Sequence, residues 1–258
     1  MLTSIRGLVA ASVFAASAAL AAPAMAQVVN PADEVEDDSG IGVEISANVA
    51  LVSEYRFRGV DLSGGDIAVQ GGIDVGLPAG FYVGTWASSI DEDTVGYGHT
   101  ELDVYGGWSG EFGAISTDVG IIAYLYPNAG PGEFDYIELY GSVGASLGPA
   151  EVTLGVAYAP GQDSLDFGGG VNDNLYIYGD VGLGVGPATV TGHLGYTDGV
   201  LTYTNDGEAL DWSIGAEAAV PGTPLTLGLA YVGAEGDFLP GDYDFTDDAV
   251  VFTLSAGF

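Results

Sequence analysis

Cysteine is absent from the 258 residues, so disulfide frameworks, thiolate nucleophiles and thiolate metal centres are excluded. Positive charge is almost as scarce. Three Lys and Arg stand against 36 Asp and Glu, for a formal net charge of −33, and a chain with so few cations cannot neutralise phosphates. Nucleic acid is therefore excluded as a partner. Past the first two dozen residues there is also no uninterrupted apolar run long enough for a spanning helix, because Gly, Asp or Glu breaks each candidate. Helical membrane insertion is excluded with it. What remains is still 48% hydrophobic, with 15 Tyr, 10 Phe and 3 Trp, which is far too greasy and aromatic for an acidic disordered chain.

The opening residues read as an export signal to be removed. Arg6 is basic, residues 8–22 are apolar, and Ala24-Met25-Ala26 is a small-x-small cleavage site, which makes Gln27 the expected new N-terminus. With Arg6 gone, Arg56 and Arg58 are the only fixed cations left. The predicted organisation is a signal peptide over 1–26, an acidic periplasmic leader without fixed structure over 27–42, and a single folded unit over 43–258.

Within that unit the apolar residues recur with period two, which is the signature of strands. Over residues 43–59 one face reads Val43, Ile45, Ala47, Val49, Leu51, Ser53, Tyr55, Phe57. The other reads Glu44, Ser46, Asn48, Ala50, Val52, Glu54, Arg56, Arg58. The same division recurs around residues 136–147, 175–185 and 212–220. Such faces could pack against a second sheet or against lipid, and the connections decide between the two. Tight turns are expected at Leu77-Pro78-Ala79-Gly80, Gly110-Glu111-Phe112-Gly113, Leu147-Gly148-Pro149-Ala150, Gly186-Pro187-Ala188 and Pro221-Gly222-Thr223-Pro224. Between them lie longer acidic, Gly-rich loops, around 91–93, 127–135, 160–174, 198–208 and 235–248. Short turns on one side and long loops on the other predict an all-β, transmembrane, antiparallel up-and-down β-barrel of about twelve strands, with turns periplasmic and loops extracellular. The chain ends on Val250, Phe252, Leu254, Ala256 and Phe258, an alternating outward series closed by an aromatic residue. That ending is expected to be read by the barrel assembly machinery.

Ser53-Glu54-Tyr55-Arg56-Phe57-Arg58-Gly59-Val60 resembles the end of the first strand in the TorF family of outer-membrane porins. Residues 68–74, 80–88 and 101–107 resemble that family's next hairpin and following strand. The likeness is sharp over about residues 45–145 and generic beyond. Asp61-Leu62-Ser63 departs from the polar pair the family carries there. The resemblance implies an outer-membrane location and a pore, without naming a solute.

If the apolar faces meet lipid, the opposite faces line a lumen carrying Glu44, Glu54, Asp74, Glu101, Asp103, Asp118, Glu138, Glu151, Asp180, Asp211 and Glu217. A narrow interior lined in this way concentrates cations and repels anions. The expected function is passive, cation-favouring diffusion of small solutes or cations through an outer-membrane porin. A non-conducting structural or adhesive barrel acting through its acidic loops is the alternative. Arg56 and Arg58 are expected on the lumen face near the extracellular end of the first strand, either as a constriction opposite carboxylates or as static ion-pair partners. Tyr105, Tyr124, Tyr140 and Tyr178 are assigned to the lumen; Tyr158, Tyr196, Trp212, Tyr231 and Phe252 are assigned to interfacial girdles. Residues 81–90 carry aromatics in both phases, so their faces stay open. His193 is placed in the lumen, with no serine two residues away to suggest a nucleophile, and His99 adjoins a loop, so no catalytic residue is assigned. Asp242-Tyr243-Asp244-Phe245-Thr246-Asp247-Asp248 lacks calcium-loop spacing, so no metal ligand or cofactor is assigned either. The remaining expected partners are membrane lipid and lipopolysaccharide.

Overall fold

A computed structural model describes residues 42–130, 132, 134–166, 172–238 and 245–258. The expected signal peptide, and all of the acidic leader but its last residue, lie outside them. Twelve strands close into an antiparallel barrel. They are β1 (Glu44–Val52), β4 (Ala68–Gly76), β5 (Phe81–Ser89), β6 (Thr100–Phe112), β7 (Ile115–Leu125), β8 (Tyr136–Leu147), β9 (Ala150–Ala159), β10 (Asn174–Val185), β11 (Ala188–Gly199), β12 (Thr204–Ala219), β13 (Leu225–Phe238) and β14 (Ala249–Gly257). Each pairs with its sequence neighbour in the wall, and β1 pairs with β14, with Val49 opposite Ala256, to complete the cylinder. Reciprocal backbone hydrogen bonds of 2.9 Å between Ala47 and Phe258 fasten that seam. A short hairpin, β2 (Arg56–Phe57) with β3 (Val60–Asp61), stands apart from the wall. A single helical turn, α1 (Glu92–Val95), begins the loop after β5; its capping residue Asp91 accepts from the Thr94 N–H. Among the described residues no helix is long and apolar enough to cross a membrane.

The period-two pattern sorts the side chains as it should in a closed barrel, with one set inward and one outward. The outward set is apolar and uncovered: Ile45 is 66% exposed, Leu154 60%, Ile214 59% and Phe252 60%. A second protein layer would bury these groups. A continuous apolar belt around a cylinder with every wall strand paired is instead the surface that hydrocarbon tails solvate. The expected girdle residues sit on this outer side. Tyr158 and Tyr231 are exposed and donate their hydroxyls to Asp173 and Asp248 at the loop end of the wall, each at 2.7 Å.

The connections alternate in length. Tight turns join β4 to β5, β6 to β7, β8 to β9, β10 to β11 and β12 to β13, and β1 and β14 reach their free ends on that same rim. Longer segments occupy the other rim, except between β11 and β12, where residues 200–203 alone join the strands. Four expectations need correction. The strand predicted over 43–59 ends at Val52. The second turn is Gly113-Ala114, because β6 runs on through Phe112 and pairs it with Ile115. The loop around 198–208 is mostly strand, with Asp198 paired to Glu208 and only residues 200–203 outside the ladder. β13 continues to Phe238, which shortens the last loop from its start. In the last three cases backbone hydrogen bonding carries the hairpins past the point where apolar alternation fades, since the ladder needs no greasy side chain once it leaves the membrane.

Candidate functional site

The first long connection turns inward. Ser53 still donates its N–H to Phe252 of β14; beyond it the chain leaves the wall, and residues 54–63 fold into the lumen around the β2–β3 hairpin before the exposed residues 65–67 lead back to β4. Arg58 and Gly59 make the hairpin's two-residue turn, with φ of 49° and 81°. Positive φ at both central positions is the geometry that matches the twist of flanking strands, and glycine accepts it without strain. Arg58 has no such freedom and is held there by its side chain. Gly59 lies so close to Asp211, Gly233 and Ala234 of β12 and β13 that an added methyl group would collide with them. The loop thus reaches across the bore.

This placement corrects the expected positions of Arg56 and Arg58, which are not wall residues of the first strand. It corrects Tyr55 and Phe57 as well, since Tyr55 is buried inside instead of facing lipid and Phe57 packs on the inward Tyr124. The alternation through residues 53–57 continues past the strand because the inward loop has an apolar face of its own. That face meets Trp86, Tyr124 and the lumen wall: Tyr55 lies edge-on to Trp86 with centroids 5.6 Å apart, and Phe57 edge-on to Tyr124 at 5.8 Å.

Polar contacts then fix the loop to the wall. The Arg58 guanidinium grips Glu138 of β8 with two hydrogen bonds from Nη2, at 2.7 and 3.0 Å, and lies 4.3 Å over the ring of Tyr176. Tyr124 donates to the same carboxylate at 3.2 Å. The Tyr55 hydroxyl donates to Glu101 of β6 at 2.7 Å, and Tyr126 donates to its other oxygen at 3.1 Å. Arg56 pairs with Glu54 at 3.2 Å and donates to the backbone carbonyls of Gly59, Phe245 and Asp247, which ties the loop to the last extracellular segment. Asp61 accepts from the Ser63 and Gly65 backbone N–H groups and so shapes the return path. On the far side Asp91 N–H donates to Leu62 at 2.8 Å, fastening the loop to the start of α1.

The consequence is a filled cross-section. Each of the twelve wall strands contributes at least one inward side chain that is 5% exposed or less, among them Val52, Ala68, Glu101, Glu138, Tyr176 and Val232. Toward the turn rim the bore widens. Asp74, Asp118, Asp180 and Glu217 are only half-buried there, among inward residues as small as Ser46, Ser142, Gly182 and Ser255. Tyr105 donates to Asp74 at 2.6 Å and Tyr82 to Asp118 at 2.7 Å, so these carboxylates are held against the wall. The tyrosines lie flat because each crosses a glycine on the adjoining strand. Tyr105 covers Gly84 and Tyr178 covers Gly155 so closely that any side chain there would displace the ring. The open phase of residues 81–90 is settled here too, with Phe81 and Val83 outward and Tyr82 and Trp86 inward.

The predicted lining residues therefore fall into two groups. Glu54, Arg56, Arg58, Glu101, Asp103 and Glu138 meet at the inward loop, while Asp74, Asp118, Asp180 and Glu217 line the wider half. Tyr105, Tyr124, Tyr140 and Tyr178 are inside as expected. His193 is inside too, with Nδ1 2.6 Å from Asp180 and Nε2 2.9 Å from Asp211. His99 stays in an exposed loop beside Glu92. Most of the acidic run that begins at Asp242 lies at the edge of the described residues, with Asp242, Tyr243 and Asp244 outside them. The sequence reading missed Tyr55, Asp61 and Tyr126 as lumen residues. The available signal was the glycine pattern, since Gly59 and the Gly64-Gly65 pair are turn residues inside a stretch otherwise read as strand and loop.

Comparison with known proteins agrees with this architecture. A family model described as "Bacterial protein of unknown function (Gcw_chp)" matches residues 36–258. The chain belongs to the Gcw_chp family. The match carries that name and not TorF, and no curated protein matches the sequence. Among solved structures, the NanC porin superposes with a TM-score of 0.54 at 11% identity, covering 83% of this chain and 98% of that one. The KdgM porin gives 0.55 at 8% identity, with 83% and 98% covered. A KdgM complex with disordered oligogalacturonate gives 0.53 at 8% identity, covering 83% and 97%. At these identities the likeness is one of fold: the Gcw_chp chain has the closed twelve-strand barrel of small porins.

Proposed function

We propose that this Gcw_chp protein is an outer-membrane channel for passive, cation-favouring diffusion of small solutes, with the inward first loop as its constriction. The observation that carries the reading is the charge balance of the lumen. Among the described residues both arginines are ion-paired, Arg58 with Glu138 and Arg56 with Glu54, and of Asp74, Asp118, Asp180 and Glu217 in the wider half only Asp180 has a basic side chain beside it, His193 at 2.6 Å. A narrow bore lined in this way raises the local concentration of cations. KdgM has been crystallised with oligogalacturonate, a carboxylate-bearing sugar chain. Among the described residues both guanidiniums are already paired with carboxylates, which argues against a cargo of that kind here. Arg56, Arg58, Glu54, Glu101, Asp103 and Glu138 form the constriction, and no residue is assigned a catalytic role. The expected location is the outer membrane, with the apolar belt in lipid and the acidic loops outside.

Reconstitution into a planar bilayer under a salt gradient tests this reading. Discrete conductance steps whose reversal potential moves toward that of the cation support it. The filled cross-section favours one other reading, a non-conducting barrel acting through its loops, and a silent bilayer at high protein load would favour that instead.

A further inference from the structure

Two carboxylates meet one imidazole where the filled and the wider halves of the lumen join. His193 of β11 holds Nδ1 2.6 Å from an oxygen of Asp180 on β10 and Nε2 2.9 Å from an oxygen of Asp211 on β12. The ring is 5% exposed and the Asp211 side chain 4%, whereas that of Asp180 is 37% exposed, so the histidine bridges a dry acid to a wetted one. A third group touches it: the Tyr176 hydroxyl lies 2.8 Å from Nε2 and 3.2 Å from the same Asp211 oxygen. Strand pairing brings them together, with Asp180 directly opposite His193 and Asp211 directly opposite Gly195 on the same inward face. Gly195 is required there, since an added methyl group would collide with Asp211 and the Tyr176 hydroxyl. The remaining groups around the ring are the stacked faces of Tyr176 and Tyr178 and, across Tyr176, the Arg58 guanidinium of the inward loop.

Counting hydrogens distinguishes the states of the ring. A neutral imidazole has one N–H and one lone pair, so with both acids ionised one nitrogen would face a carboxylate oxygen, lone pair to lone pair, across less than 3 Å. The single Tyr176 proton does not relieve this, because it serves Nε2 or Asp211 and leaves the contact between those two without a hydrogen. With both nitrogens protonated, each donates to one carboxylate and Tyr176 donates to Asp211. We propose that His193 is a doubly protonated imidazolium at neutral pH and that this proton sets the ion preference of the bore. Two negative charges and one positive leave the Asp180–His193–Asp211 unit with one net negative charge, and loss of the proton leaves it with two. Raising the pH therefore strengthens the field that draws cations. Asp211 also lies against Gly59 at the tip of the inward loop, so the added charge appears beside the constriction. The effect on ions rests on the channel reading; the state of the ring does not.

Two measurements on the full protein test this. In nonionic detergent, nitrogen NMR of histidine-labelled protein at neutral pH should show both His193 nitrogens protonated, with His193→Gln assigning the signals against the exposed His99. A ring with one bare nitrogen would overturn the proposal and place the bridging proton on an aspartate. In a planar bilayer under a salt gradient, cation over anion preference should rise about twofold between about pH 7 and about pH 10, a range in which ordinary carboxylates are already ionised. His193→Gln should be flat over that range and as cation-preferring throughout as the wild type is at its upper end, while His99→Gln should keep the rise. A flat wild type, or an undiminished rise in His193→Gln, would overturn the proposal. A silent bilayer would remove the channel reading and the role in ion preference together, and the ring spectrum would still show whether the charged bridge exists. If His193→Gln fails to fold, the wild-type spectrum and the rise in wild type and His99→Gln decide alone.

Discussion

The two halves of the lumen solve the same problem in opposite ways. Toward the loop rim, acidic groups are buried, each against a named donor or against one another, and the bore is filled by a segment of the chain itself. Toward the turn rim, the acids stay half-exposed, with Asp74 and Asp118 held by tyrosine hydroxyls and Asp180 by His193, and they face space kept open by serine and glycine. Buried charges need partners of fixed geometry, whereas wetted ones need only not to be crowded. Charge changes near the inward loop should therefore alter whether the bore is open, and charge changes near the turns should alter only what passes.

The largest expected effect comes from Arg58→Ala. Removing one partner of a buried ion pair costs about 3–5 kcal/mol, so the fraction of barrels with the loop displaced should rise about a hundredfold or more. Single-channel recording would show this as longer or larger openings, and behaviour identical to wild type would show that the loop does not limit flow. A smaller effect is expected from Asp74→Asn combined with Asp118→Asn. Cation over anion preference should fall about two- to threefold with opening unchanged, read from reversal potentials in a salt gradient. If that pair alters opening instead, the division of the lumen into two halves is wrong. The smallest effect belongs to Tyr105→Phe, which loses the hydrogen bond to Asp74 and should lower stability by about 1 kcal/mol in a denaturant titration, without changing selectivity.

Much of this molecule can be read directly from its amino acids. The two-residue period places Ile45, Val49 and Leu51 outside and Glu101, Asp103 and Glu138 inside, because a barrel strand obeys one rule along its length and lipid enforces it. The proline- and glycine-marked turns set the strand count. The inward loop escapes the same reasoning for a physical reason. Tyr55 and Phe57 alternate with charged residues as wall residues do, but their apolar face meets protein and not lipid, and periodicity reports that a face is greasy without reporting what covers it. Arg58 compounds the difficulty by occupying a left-handed conformation usually left to glycine or asparagine. Its contact with Glu138, 80 residues away, is invisible to any local pattern.

The Ala47–Phe258 seam bears on how such a cylinder comes into being. Every other wall contact joins strands adjacent in the chain, so most of the sheet can grow by adding hairpins, while this one junction must bring together segments at opposite ends of the polypeptide. The entropy of that meeting is paid once, near the end of assembly, and until then two bare edges offer unpaired N–H and C=O groups to any passing strand. Biogenesis is therefore slow and vulnerable at a single known place, and a catalyst of assembly would gain most by guarding those two edges until they find each other.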